Sequence, residues 1–407
     1  MSNAAYGLLG APLAMAALPL FVQLPAYYAS HLGMALGPLG MVLFIARGID
    51  MLQDPLLGHL LDRRPAQHRR WMTLGAVVLV LAFAALWLPP VGIGAGALSL
   101  WIALMLVLAY GAHSLINIAY LTWGSQLHGP LGAAAWREAL GLAGMMAASL
   151  APAAILGGDT AQVRPLLALY SMAFGLLMVS AMWALLRHAP QVATPTSIQT
   201  QGWRDTLREL AGNRPVRALL LPYFLNALSV AIPATLALFY IADQLGAPQL
   251  SGVFLACYFG AAACGLPVWA RLAQTHGALR CWRAGMLLAV AGFCGAALLG
   301  SGDVVLYAAV CIAAGAALGA DLALPPVLLG RLLGQRAGAG FGLFTLLGKL
   351  ALAIAGLTLP LLSWLDYRPG QGGGVSLVLA YAVLPCLIKL LAMAALSRCT
   401  ETLGSNT

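Results

Sequence analysis

Long apolar runs alternate with short polar breaks along the whole chain. Runs at 6–29, 35–61, 72–90, 98–123, 137–157 and 165–187 are followed by runs at 217–243, 250–270, 284–300, 305–328, 340–363 and 376–397. A helix needs about 20 apolar residues to cross the hydrocarbon core, so each run predicts a membrane span. The breaks leave no room for a soluble domain. The one long interior break, 188–216, opens with a Pro/Thr/Ser/Gln-rich stretch, Ala189 to Gln201. Behind it, Trp203, Leu207 and Leu210 share one helical face, with charges on the other. That pattern predicts a short amphipathic helix on the membrane surface, ended by Gly212, Asn213 and Pro215.

The break separates six spans from six, and a weak internal repeat supports the division. Pro55 and Pro267 lie 212 positions apart, each late in the second span of its half. Trp71 and Trp282 lie 211 apart, each opening a third span. The expected fold is therefore an all-α membrane protein of 12 transmembrane helices in two six-helix halves, the architecture of major facilitator transporters. Its parts are a bundle over 1–187, a cytoplasmic linker over 188–216 and a bundle over 217–407.

Composition excludes the soluble classes. Only 8% of residues are charged, against about 25% in soluble domains. The 46 glycines suit close helix packing in lipid rather than a β-barrel. Met1 to Ala5 carries no basic residue before the first apolar run, so that run reads as a retained helix rather than a secretory signal. The net charge of +9 matters through its placement. With the N-terminus inside, the inner loops receive arginines such as Arg63, Arg64, Arg69, Arg70, Arg137 and Arg214, and the outer loops only Arg164 and Arg368. This predicts both termini in the cytoplasm. Arginines spread over many short loops do not form a nucleic-acid face, so no nucleic-acid partner is expected. The seven cysteines show no C-x-x-C or Cys/His metal spacing and read as small apolar residues.

Against this background, Arg47-Gly-Ile-Asp50-Met-Leu-Gln-Asp54-Pro55 stands out in the second span. Asp50 and Asp54 are four apart and share a helix face; Arg47 is on the same side. Intramembrane charges are costly and face a cavity, a partner or an ion. Two carboxylates on one face supply hard oxygen ligands for a small cation such as Na+, or a site for a proton. The alternative is a charge-paired helix contact through Arg47. Asp50 precedes Asp62, at the inner end of the span, by roughly 18 Å of helical rise, which puts it near the midplane. Pro55 either frees the carbonyl of Met51 as a further ligand or simply kinks the helix. Ala262 and Leu266 occupy the equivalent places in the second half, so ion binding belongs to the first.

Lys349, in the eleventh span, is the main basic group of the second half, and Asp321 in the tenth reaches a similar depth. Together with Arg47 they are candidate charge partners of the acids; the alternative is a static Asp321–Lys349 pair. Lys389 lies nearer the inner end of the twelfth span, where it can snorkel. His113 and Asn117 lie four apart in the fourth span. His113 can relay protons or make a helix–helix hydrogen bond; Asn117 offers donor and acceptor to a hydroxylated solute. Tyr27, Tyr28, Tyr120, Tyr223, Asn226 and Tyr258 are further candidates for a substrate cavity, although aromatic belts alone account for several. No nucleophile elbow, P-loop, zinc-protease or dinucleotide fingerprint occurs, so no enzyme activity is expected.

Arg47-x-x-Asp50-x-x-x-Asp54-Pro55-x-x-Gly58-x-x-x-Asp62-Arg63 resembles the second-helix signature of the glycoside–pentoside–hexuronide:cation symporters, a major facilitator family. Ala5-Tyr6-Gly7 resembles that family's first-helix start, Tyr27-Tyr28 its end, and Asn117-Ile-Ala-Tyr120 its fourth-helix element. Lys349 matches its eleventh-helix lysine. The resemblance implies cation coupling at Asp50 and Asp54 with Lys349 close by, alternating access, and a place in a bacterial inner membrane. Two departures bear on the substrate. The sugar-binding acid of the first helix falls at Ala14 and its partner arginine at Met145, and Asn117 replaces a fourth-helix acid.

The expected function is Na+- or H+-coupled symport of a small organic solute, sugars being one candidate class. The transporter is expected to be a monomer whose other partners are membrane lipids, with no cofactor beyond the coupling ion. The alternatives are a lysolipid or amphiphile transporter with the same ion site, or a non-transporting membrane sensor or enzyme.

Overall fold

In hydrocarbon every backbone N–H and C=O must find a partner inside the chain, and a helix pairs them within one segment. The structure, a computed structural model, describes residues 3–64, 67–127, 129–156, 160–188, 203–333, 336–367 and 372–403, and no strand occurs among them. The Pro/Thr/Ser/Gln-rich start of the expected linker lies outside the described residues. Two compact units are formed: Met1–Thr206 with Gln335–Leu343, and Leu207–Gly334 with Phe344–Thr407.

The first unit contains α1 (Asn3–Gly7), α2 (Gly10–Ser30), α3 (Leu36–Arg63), α4 (His68–Trp87), α5 (Ala95–Ser125), α6 (Pro130–Leu156) and α7 (Thr160–His188). α8 (Trp203–Gly212) crosses to the second unit, which continues with α9 (Arg214–Phe239), α10 (Ser251–His276), α11 (Ala278–Ala296), α12 (Val304–Leu333), α13 (Ala337–Gly356), α14 (Thr358–Trp364), α15 (Val375–Val378) and α16 (Leu384–Leu403). The first turns of α13 belong with the first unit. Nine of the described helices are long and apolar enough to cross a membrane by composition alone. The charged α3 is not among them.

Proline explains where the expected spans break. The first run divides at Leu8–Leu9, and Pro12 is the residue that would clash with the carbonyl of Leu8 in a continuous helix. The eleventh divides after Gly356, four positions before Pro360, a residue with no N–H to offer that carbonyl, and Thr358 closes the break by donating to the carbonyl of Ala355 at 2.6 Å. Pro55 has no such effect: α3 continues through it. The amphipathic helix α8 ends at Gly212 as expected, with Leu210 buried and Arg204, Asp205, Arg208 and Glu209 exposed. Asn213 then caps α9, accepting from the Val216 N–H at 3.4 Å. One loop assignment is corrected. Arg137 is in the third turn of α6, buried, and paired with Glu138.

Helix pairs pack in each unit through small residues. In the first, α2 lies against α6, and α5 against α3 and α4; in the second, α12 lies between α10 and α11, and α9 against α16. A side chain on Gly10 would collide with the carbonyl of Arg137, and one on Gly315 with the carbonyl of Tyr258. Only glycine allows backbones to approach that closely.

Candidate functional site

The acidic pair of α3 is buried. Asp50 is 5% exposed and Asp54 fully enclosed. Gln53, one turn from Asp50, donates its amide to Oδ1 at 3.2 Å, and Ser114 of α5 donates to the same oxygen at 3.1 Å. Gly111 lets α5 approach here, since a Cβ on it would stand 3.2 Å from the Gln53 side-chain oxygen. Tyr110 lies within electrostatic reach of both Arg47 and Asp50. Arg47 itself is exposed. Two carboxylates one turn apart, backed by neutral amide, hydroxyl and phenol groups, form an oxygen-rich wall suited to a hard cation or a proton. No cluster of three or more His, Cys, Asp or Glu suited to a metal ion occurs among the described residues.

The lower end of α3 does something different. Asp62 accepts two backbone hydrogen bonds, from the N–H of Gly338 at 2.8 Å and of Ala339 at 2.7 Å. A carboxylate at a helix N-terminus satisfies orphan donors and meets the positive end of the dipole. Here it caps α13 from 276 positions away. Gly338 and Gly342 bring α13 against Gly58 and Pro55, where any side chain would strike backbone. By sequence alone Asp62 only marks the boundary of a span. Gly338-x-x-x-Gly342, a small-residue packing motif, is the signal that another helix meets α3 here.

The remaining candidates of the first unit lie in helix packing. The Tyr120 ring is fully buried, its hydroxyl donating to the carbonyl of Tyr6 while Tyr6 donates to the carbonyl of Tyr120 at 2.8 Å. This reciprocal pair joins the two resembling motifs of the first and fourth helices, beside Arg137. His113 bonds the backbone carbonyl of Leu13 at 3.2 Å and so ties α5 to α2. Tyr27 is buried among Tyr28, His31 and Trp87; the Tyr28 hydroxyl donates to the carbonyl of Leu86. Asn117 is half-buried.

In the second unit the alternative of a static Asp321–Lys349 pair gives way to another partner. Asp321 bonds Lys389 of α16 at 2.8 Å, and the Trp282 indole of α11 donates to its other oxygen at 3.0 Å. Lys389 is 4% exposed and does not snorkel. The cause is helix phase: α16 turns Lys389 inward toward α11 and α12. Lys349 is half-buried on α13, next to Gly348, against which the Tyr223 hydroxyl closes; Tyr223 stacks on Phe344 at 3.9 Å. Asn226 is buried, and its side-chain oxygen has no hydrogen-bond partner among the described residues. Outside the spans, Tyr367 donates to Asp243; burial, then that carboxylate, pushes its phenol up from the ordinary value.

A family model described as MFS/sugar transport protein matches residues 4–400. The chain is similar to the inner membrane symporter YicJ of Escherichia coli strain K12, 24% identical over 251 residues that cover 57% of this chain and 52% of YicJ. The similarity therefore spans about half the length of that relative. Among solved structures, an outward-facing bacterial homologue of the iron transporter ferroportin superposes with TM-score 0.78 at 16% identity, covering 98% of this chain and 100% of that one. A variant of the E. coli fucose:proton symporter FucP superposes with TM-score 0.74 at 13% identity, covering 98% of each chain. At such identities these likenesses show the fold.

Proposed function

From a chain that belongs to the major facilitator sugar-transport family, and is therefore a membrane transporter rather than an enzyme, we propose a narrower reading: a symporter that couples a small organic solute to Na+ or H+ through Asp50 and Asp54. The observation that supports it is the pair itself, two carboxylates one turn apart and both removed from the surface of α3. Binding a cation or protons there lowers the cost of holding two acids together in a low-dielectric interior. Lys349 enters as charge partner on its sequence match alone. The similarity to a symporter supports the same reading. We also propose, on the arginine distribution, that both termini face the cytoplasm.

The solute is less polar than a free sugar. Ala14 and Met145, both half-buried, stand where sugar-binding members carry an acid and an arginine. An amphiphile is the second reading, and those two residues favour it.

The test needs no known solute. Protein in lipid nanodiscs should melt at higher temperature as Na+ or Li+ replaces choline, or as the pH falls from 8 to 5, because a ligand bound only by the native state stabilises it. Asp54→Asn should remove that response and remain folded. A wild-type melting temperature indifferent to all three cations and to pH would refute the reading.

A further inference from the structure

The second unit encloses a cavity that the cation reading does not use. It contains about 610 Å³ of empty space, counting the part open to the outside. Its wall includes Ala237 of α9, Phe254 and Tyr258 of α10, Tyr307 and Cys311 of α12, and Tyr381. None of its lining residues is charged.

Two π-helical turns contribute to it: Tyr240–Gln244 after α9 and Leu379–Val383 before α16. A π turn accommodates an extra residue at a cost in hydrogen-bond geometry, and it recurs at functional sites. No π turn occurs among the described residues of the first unit. Tyr240 and Tyr381, one from each turn, stack with centroids 4.1 Å apart. Their hydroxyls are committed: Tyr240 donates to the carbonyl of Ala296 at 2.6 Å, and Tyr381 shares a hydrogen bond of 2.7 Å with Tyr307. These bonds hold the aromatic wall in one arrangement before any ligand arrives, which lowers the ordering cost of binding.

Tyr258 differs. Its ring sits edge-on to Phe259 at 5.2 Å, and its hydroxyl takes no part in the hydrogen bonds that hold Tyr240, Tyr307 and Tyr381. The backbone beneath is locked where its carbonyl meets Gly315. The wall therefore presents rings, a thiol and the Tyr258 hydroxyl. A sugar would leave several hydroxyls unpaired against it, and an ion would lose its hydration without a counter-charge.

We propose that this cavity is a ligand site for a compact neutral molecule, mostly hydrocarbon ring, that presents one hydrogen-bond acceptor to the Tyr258 hydroxyl.

The probes are 2-adamantanone and adamantane, one skeleton with and without a carbonyl. Binding to the protein in nanodiscs is measured by equilibrium dialysis in sealed cells, with empty nanodiscs subtracted. Wild type should bind both saturably, the ketone more tightly. Tyr258→Phe should weaken the ketone about tenfold and leave adamantane within about twofold, since only one hydrogen bond is removed. Ala237→Phe, or the milder Ala234→Leu, should fill the cavity and weaken both probes, with an unchanged melting temperature reporting the fold. Asp54→Asn should bind both as wild type does, so failure of the cation reading leaves this result standing. No saturable binding to wild type, or ketone affinity unchanged in Tyr258→Phe or in a folded filling variant, overturns the proposal.

Discussion

Buried acid is handled in two ways in this molecule. In α12 a single carboxylate, Asp321, meets a single ammonium, Lys389, at 2.8 Å, and an indole takes its second oxygen. In α3 two carboxylates, Asp50 and Asp54, lie one turn apart, and the groups within hydrogen-bond distance of Asp50 include the neutral Gln53 and Ser114. The first arrangement is balanced one to one by a charge built into its own unit. The second concentrates two acidic groups on one face, with Gln53 and Ser114 both donating to one oxygen of Asp50. A one-to-one partner makes the charge of Asp321 structural, whereas α3 places two acids on one helix face.

The largest effect should come from breaking the fixed pair. Lys389→Ala or Asp321→Ala alone should cost about 3–5 kcal/mol, because each leaves a buried charge without its partner, while the double change to Ala should recover most of that loss. Melting temperatures of the three variants measure it. Asp54→Asn should cost far less stability in the same assay; equal losses at Asp54 and Asp321 would erase the distinction. Next comes Trp282→Phe, which removes one donor to a charged oxygen and should cost about 1.5–3 kcal/mol. If denaturant titration shows no change, the indole does not support the pair.

A smaller effect is expected at a third carboxylate, Asp62, which serves as a helix cap. Asp62→Ala should cost about 0.5–2 kcal/mol, in the range of lost caps, and amide exchange should rise at Gly338 and Ala339, the two N–H groups it binds. Protection unchanged at both would contradict the cap. The smallest effect concerns Tyr367 and Asp243. A phenol raised above its ordinary pKa contributes stability that is complete below about 10 and disappears only as pH rises beyond it. Because this bond to a carboxylate is half-exposed and screened by solvent, Tyr367→Phe should lower stability by only about 1 kcal/mol, equally at pH 6 and pH 9. A loss confined to one of these pH values would reject that assignment.

Much of the fold was readable because hydrocarbon leaves the backbone one solution. Apolar runs of sufficient length had to become helices, and the breaks at Leu8–Leu9 and after Gly356 fall where Pro12 and Pro360 deny a carbonyl its partner. The Asp50–Asp54 spacing was readable for the same reason, since helical period alone places both on one face. What the sequence did not determine was which residues of different helices meet. Asp321 had Lys349 as its candidate partner by depth alone, and the rotation of α16 about its axis selected Lys389 instead. Nothing local to Asp62 shows that its oxygens bind a helix 276 positions away. Nor does any periodicity distinguish Tyr120, locked to Tyr6, from Tyr258, which lines the cavity. Helix formation is set by short-range backbone chemistry. Pairing, capping and cavities depend on axial rotation and separation of packed helices, and only tertiary packing supplies those coordinates.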